Sequence, residues 1–163
     1  MEKLKEKLAT APVLTHDDGQ SPLELRTDAS GKGLGAVLYI LKEDVRKPIA
    51  FASRCLEGAE ERYHVNELEF LALLWALRRF NHHVYGRYVL VKKDSSVVKW
   101  VVQRADATRN NRLRRWLMEL RGYDVTVQHV KGAANVVADA LSRSPVECLP
   151  DPAVEFIGAL ILV

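Results

Sequence analysis

Cysteine is scarce: Cys55 and Cys148 are the only two in a chain of 163 residues. Two thiols build no disulfide framework and lack metal-ligand spacing, which excludes the disulfide-stapled secreted class and favours a reducing compartment. No apolar run is long enough to cross a bilayer. The tail "FIGALILV" is far too short, and reads as a strand, a docking segment or the edge of a longer polypeptide. The N-terminal "MEKLKEKLATAPVL" alternates charge at helical spacing without an apolar core, so it is no signal peptide. Net charge is small as well. At +3 it permits a polyanionic partner but does not argue for one. His64, His82 and His83 lack the spacing of a metal site and read as surface or packing residues. Repeats and low-complexity tracts are absent.

What remains is an ordinary globular composition, 48% hydrophobic and 28% charged, in a length that suits one domain with a real core. Residues 2–9 read as a short helix, and Thr10 to Pro22 as connecting loop. Alternation from Leu23 to Thr27 marks a first strand, "GAVLYIL" a second and "KPIAFASRCL" a third. "GAEERYHVNELEFLALLWALRRFNHH" reads as one helix, apolar around nearly its whole circumference from Leu68 to Leu77 and therefore buried. "GRYVLVKKD" is a fourth strand, "SSVVKWVVQ" a serine-capped short helix, and "NNRLRRWLMELRGYD" an amphipathic helix stopped by Gly122. "DVTVQHV" is a fifth strand and "NVVADALSR" a last short helix, with Ser144-Pro145 ending the domain. The order βββ-α-β-α-α-β-α is an α/β pattern. It implies a five-stranded mixed sheet, three strands in an antiparallel meander and two reached by crossovers, flanked by helices.

In "LRTDASGKGLGAVLYI", Gly31, Gly33 and Gly35 follow an aspartate. A phosphate-cradling loop should run from its glycines into a helix N-terminus. These glycines run into a strand, so they turn a hairpin that holds up Asp28.

Four acids sit where packing alone would prefer another residue. Glu69 lies among leucines inside its helix, where an unpaired carboxylate is costly. Asp28 and Asp94 end apolar strands, and Asp139 sits in the apolar "VVADAL". Each has a bland alternative: a turn residue for Asp28, a helix N-cap for Asp94, a solvent-facing side chain for Asp139. Glu69 has the weakest one. A single cause covers all four, namely an all-oxygen site for hard divalent cations at one end of the sheet, of the kind in which two Mg²⁺ ions act on a phosphodiester.

"TDAS", "NELEFLALLWAL", "KKDSS" and "NVVADALSR", in that order, resemble the ribonuclease H domain of gypsy-type LTR-retrotransposon Pol polyproteins. The likeness runs from about Lys3 to Arg143 and includes "LKEKLATAPVL", "PIAFASRCL" and "RWLMELRGYDVTVQHVKGAANVVADALSR". It implies the ribonuclease H-like fold and hydrolysis of the RNA strand of an RNA–DNA hybrid during reverse transcription. It places Asp28, Glu69, Asp94 and Asp139 as catalytic ligands of two Mg²⁺ ions, for which Mn²⁺ can substitute. Glu69 rather than Glu67 continues the family helix, and residues two apart on a helix point to nearly opposite sides. Residues 1–22 then correspond to a connection from the polymerase thumb, 23–144 to the ribonuclease H domain, and 145–163 to a linker. The implied partners are the hybrid and a polymerase domain in cis, with no membrane, in an intracellular setting: cytoplasm, retroelement particle or nucleus. The chain has no Tyr-x-Asp-Asp motif, so polymerase activity belongs to the parent polyprotein.

Two departures stand out. The strand acid commonly follows threonine in the family, whereas here Lys92 and Lys93 precede Asp94, and alternation puts Lys92 on the face of Asp94. An ammonium there would repel a cation. The mobile histidine that cellular ribonucleases H carry before the last acid is also missing, as is usual in gypsy-type domains, and His129 lies in the preceding strand.

Arg109, Arg112, Arg114, Arg115 and Arg121 around the amphipathic helix either track phosphates or form a solvated face. Asn66, Asn135, Ser30 and Ser95 are candidates for contact with a 2′-hydroxyl. The competing function is a catalytically weak or domesticated binding module for nucleic acid or polymerase. An integrase core would need an Asp-Asp-Glu order, which Asp-Glu-Asp-Asp excludes.

Overall fold

A computed structural model describes residues 14–93, 110–131 and 135–145. The helices expected over residues 2–9 and in "SSVVKWVVQ", the apolar tail, Asp94, Ser95 and Arg109 lie outside the described residues.

Five strands form one sheet: β1 (Leu23–Ala29), β2 (Gly33–Lys42), β3 (Val45–Cys55), β4 (Val89–Lys93) and β5 (Val125–His129), in spatial order β3-β2-β1-β4-β5. β1 and β2 pair antiparallel, as do β2 and β3, whereas β4 runs parallel to both β1 and β5. The mixed sheet expected from the element order is therefore present. Its helices are α1 (Val65–Arg79), α2 (Asn81–Val84), α3 (Asn111–Leu120) and α4 (Val136–Arg143).

Strand alternation sorts β1 cleanly. Leu23 and Leu25 point into the main core, where they meet Leu34, Ala36, Leu38 and Ile40 of β2 and the apolar face of α1. Eight residues of α1 are buried, among them Leu68, Phe70, Leu71, Leu73, Leu74 and Leu77, as a helix apolar all round requires. Trp116 of α3 stacks on Phe70, with ring centroids 6.0 Å apart, and Arg78 holds Glu119 through a 2.6 Å bond from Nη2, so α3 is locked onto α1. The opposite face of β1 carries Glu24, Arg26 and Asp28, and α4 packs on that side.

Two expectations need correction. The long "GAEERYHV…" helix is three pieces: a 3₁₀ turn (Gly58–Arg62), α1 and α2. His64 caps α1 by accepting from Asn66 N, and Glu67 bonds back to the His64 amide, so a capping box starts the helix there. Cys55 is disulfide-bonded rather than a free thiol, which removes the thiol-based argument for a reducing compartment. No helix among the described residues is long and apolar enough to cross a membrane.

Candidate active site at the carboxyl end of β1

Asp28 is the next-to-last residue of β1 and lies opposite Gly35 of β2. Gly35 explains what stands over it. A Cβ at that position would lie 2.4 Å from the Ala138 carbonyl and 2.7 Å from the Ser142 amide, so only glycine lets α4 approach this closely. Gly33 gives similar clearance to the Arg54 carbonyl and Pro145. Both glycines lie within β2, and the turn itself is Ser30–Lys32, closed by a 2.9 Å bond from Ser30 N to Gly33 O. The expectation that all three glycines shape the turn is corrected: two of them seat a helix.

Seated in this way, α4 brings Ser142 and Asp139 to Asp28. Ser142 Oγ donates to Asp28 Oδ2 at 2.6 Å, and the same oxygen lies 2.9 Å from the Asp139 carbonyl. Asp139 is half-exposed, and Arg143 Nε reaches its Oδ1 at 2.7 Å. Glu69 comes from α1 on the other side of the sheet, with its side chain only 14% exposed. The Asp28 carboxyl is raised above the ordinary aspartate range. Burial is the largest cause, and the negative charges of Glu69 and Asp139 add to it against the opposing effects of Ser142 and Lys93. Three carboxylates from three separate elements thus share one electrostatic neighbourhood.

Glu69 is partnered by Lys93, the last residue of β4. The Lys93 side chain is 1% exposed, its ammonium is paired with Glu69 Oε2, and it donates to Thr27 Oγ1 at 3.0 Å. Lys92 points to the other face and pairs with Glu24 Oε2 at 2.9 Å, where Arg26 and Arg46 also meet Glu24. The expected position of Lys92 relative to Asp94 falls outside the described residues. The Lys92 charge is taken up by Glu24, four residues before Asp28 on the same strand face.

The remaining sequence candidates separate by surroundings. Ser30 Oγ donates to the Ser142 carbonyl at 2.6 Å and ties the hairpin turn to α4. Asn135, 2% exposed, donates from Nδ2 to the Thr27 carbonyl at 3.1 Å, while its Oδ1 is buried without a partner among the described residues. Asn66 lies half-buried in the first turn of α1. Arg112 bonds Glu67 Oε1 at 3.1 Å and lies 3.9 Å over the Tyr63 ring, and Arg115 is exposed on α3. Glu67 therefore faces α3, whereas Glu69 faces Lys93 at the end of β4.

Sequence reasoning missed Ser142 and the role of Lys93. Ser142 had a usable signal, since it follows Asp139 by three residues and so shares its helix face.

Oxygen donors suit a hard divalent ion, but the three carboxylates do not fit one equally. Among the described residues no group of three or more His, Cys, Asp or Glu side chains is arranged as a cation site. Asp28 receives a neutral hydroxyl, and Asp139 an arginine that is 69% exposed, so both fit a cation. Glu69 already holds a buried ammonium.

A family model described as "RNase H-like domain found in reverse transcriptase" matches residues 18–123. The retrovirus-related Pol polyproteins from transposons 297 and gypsy of Drosophila melanogaster are 37% and 35% identical to this chain over 146 and 150 residues, which is 90% and 91% of it. The chain spans only 13% and 14% of their lengths. Among solved structures, RNase H1 from Halobacterium salinarum NRC-1 is similar with a TM-score of 0.57 and 22% identity, over 75% of this chain and 93% of that one. The foamy viral protease-reverse transcriptase in complex with dsDNA gives 0.61 and 24%, over 80% and 28%. These two likenesses carry the fold, which is ribonuclease H-like. On the match to its family model, the chain belongs to the RNase H-like domains found in reverse transcriptases.

Proposed function

We propose that this chain is a divalent-metal-dependent endonuclease that hydrolyses the RNA strand of RNA–DNA hybrids, acting in cis with a polymerase within a Pol-type polyprotein. The observation that carries the reading is the end of β1, where Ser142 of α4 bonds the buried Asp28 and the charges of Glu69 and Asp139 add to burial in raising its carboxyl. Membership of the family, and a similar foamy viral protease-reverse transcriptase solved in complex with an RNA/DNA hybrid, support the choice of substrate. Residues 23–144 are the catalytic unit in this reading, flanked by a connection over 1–22 and a linker over 145–163.

Asp28, Glu69 and Asp139, with Asp94, are the residues that would hold Mg²⁺ or Mn²⁺. Two such ions supply a clamp on the attacking and leaving oxygens of an in-line displacement. The protein's own part is to hold the acceptors still. Ser142 fixes the Asp28 carboxylate, Gly35 seats the helix that bears Ser142 and Asp139, and Asn135 and Ser30 tie that helix to the end of β1. In this reading Arg112 and Arg115 on α3 are the residues that would track the phosphate backbone, and Asn66 at the start of α1 the one that would meet a ribose hydroxyl.

The test is cleavage of end-labelled RNA in a hybrid, compared with the same RNA in single-stranded form, under Mg²⁺. The expected result is hybrid-selective cleavage that Asp28→Asn lowers by more than about a hundredfold, since even outer-shell changes cost about 10–100-fold. Equal cleavage of both RNAs, or an unaffected Asp28→Asn protein, contradicts the reading.

A second reading is favoured by one observation, the Lys93 ammonium on Glu69. It describes a module that binds the hybrid or its polymerase while cleaving weakly, and it predicts hybrid binding without turnover.

A further inference from the structure

The geometry points to Lys93 as a resident cation that occupies the Glu69 side of the centre, so that the protein takes one divalent ion tightly, on the Asp28–Asp139 side, and a second only by displacing the ammonium. The inference rests on the metal-dependent reading above and adds to it how many ions the centre loads.

Among the described residues Lys93 is the one lysine with a fully buried side chain. A buried ammonium needs a counter-charge, and among the described residues the acid paired with it is Glu69. Its other contacts are neutral: Thr27 Oγ1 at 3.0 Å and the Thr27 carbonyl at 3.4 Å. The lysine is thus ion-paired with Glu69 and acts on Asp28 through its charge alone. An incoming ion at the Glu69 carboxylate must either lie close to a fixed positive charge or strip a buried ammonium of its partner. Both alternatives weaken binding. Asp28 and Asp139 are placed differently, because a hydroxyl donor adds no charge and Arg143 can turn outward from its exposed position.

The arrangement is also anchored. Thr27 faces the main core beside Leu25, Lys93 ends the parallel strand next to it, and Asn135 shares the Thr27 carbonyl from the far side. Lys93 is a positioning residue here, acting on the cation through Glu69.

The experiment is a Mn²⁺ titration of the 163-residue chain followed by electron paramagnetic resonance of the free ion, with circular dichroism as the check of folding. Wild type is expected to bind one Mn²⁺ per chain, with any second ion at least tenfold weaker. Lys93→Thr and Lys93→Met, which remove the charge in a short and a long side chain, are expected to bind two ions of comparable affinity. Lys93→Arg keeps the charge and is expected to bind one, an outcome that a purely structural role for the lysine does not produce. Two equally tight ions in wild type, or one in every variant, overturns the inference and leaves the metal-dependent reading standing. No binding by any folded variant overturns that reading, and the inference with it.

Discussion

Ser142 and Glu24 show how much of this site is set by side chains that do not face the reaction. Ser142 is fully buried, and its hydroxyl proton goes to the nearer acceptor, Asp28. Ser142→Ala leaves the helix intact but frees the carboxylate, so Mn²⁺ affinity should fall by about 10–100-fold, as outer-shell losses do, with little change in circular dichroism. Glu24, 1% exposed, gathers Lys92, Arg26 and Arg46. Burial alone would raise its carboxyl, but those three partners outweigh it and hold the pKa below the ordinary glutamate value of 4.5. A depressed folded pKa contributes stability that is present above the unfolded value and lost as pH falls through the folded one. Glu24→Gln should therefore cost about 3 kcal/mol near neutral pH, the low end for a broken buried pair because two of its cations are partly exposed. Denaturant melts should show that penalty shrinking once the pH drops below the ordinary carboxylate range. At this scale the sequence was informative where surroundings were local. Glu69 was legible because leucines flank it. The division of labour between Lys92 and Lys93 was not, because it depends on which acid of another element each ammonium can reach.

Elements were easiest to read where apolar period and length agreed, as in α1 and in the three strands of the meander. The break between the 3₁₀ turn and α1 carried no glycine or proline to announce it. Tyr63 is extended there, at φ −72° and ψ 145°, and His64 with Glu67 builds the cap that starts the helix. The glycines of β2 were misread for a related reason: a local pattern suggests a turn, while a helix some hundred residues later needs the missing Cβ. Gly35→Ala tests this directly. Its methyl group has no room beneath the Ala138 carbonyl, so α4 must lift, and the change should destabilise by about 1–3 kcal/mol, as overpacking does. Hybrid cleavage should fall with it, because Ser142 and Asp139 ride on that helix. Gly31→Ala, where a Cβ meets nothing within 4 Å, should stay within about 0.5 kcal/mol of wild type in the same thermal melts.

For the molecule as a whole, the sheet brings the carboxyl ends of the parallel strands β1 and β4 side by side, and helices from both faces deliver further acids to that edge. The order of elements made this architecture legible in the sequence, and the family match supports it over residues 18–123. A sequence could not reveal the charge state of the centre, where one buried cation already answers one of the acids. That cation makes turnover, rather than fold or family, the central claim to test. The most direct measurement is a single-turnover assay of the folded chain on a labelled RNA–DNA hybrid, with binding followed by anisotropy in the same samples and Mg²⁺ or Mn²⁺ added to start the reaction. The account predicts metal-triggered cutting of the RNA strand alone, lost in Glu69→Gln as well as Asp28→Asn. Stable binding of the hybrid with the RNA left whole under both metals would contradict it.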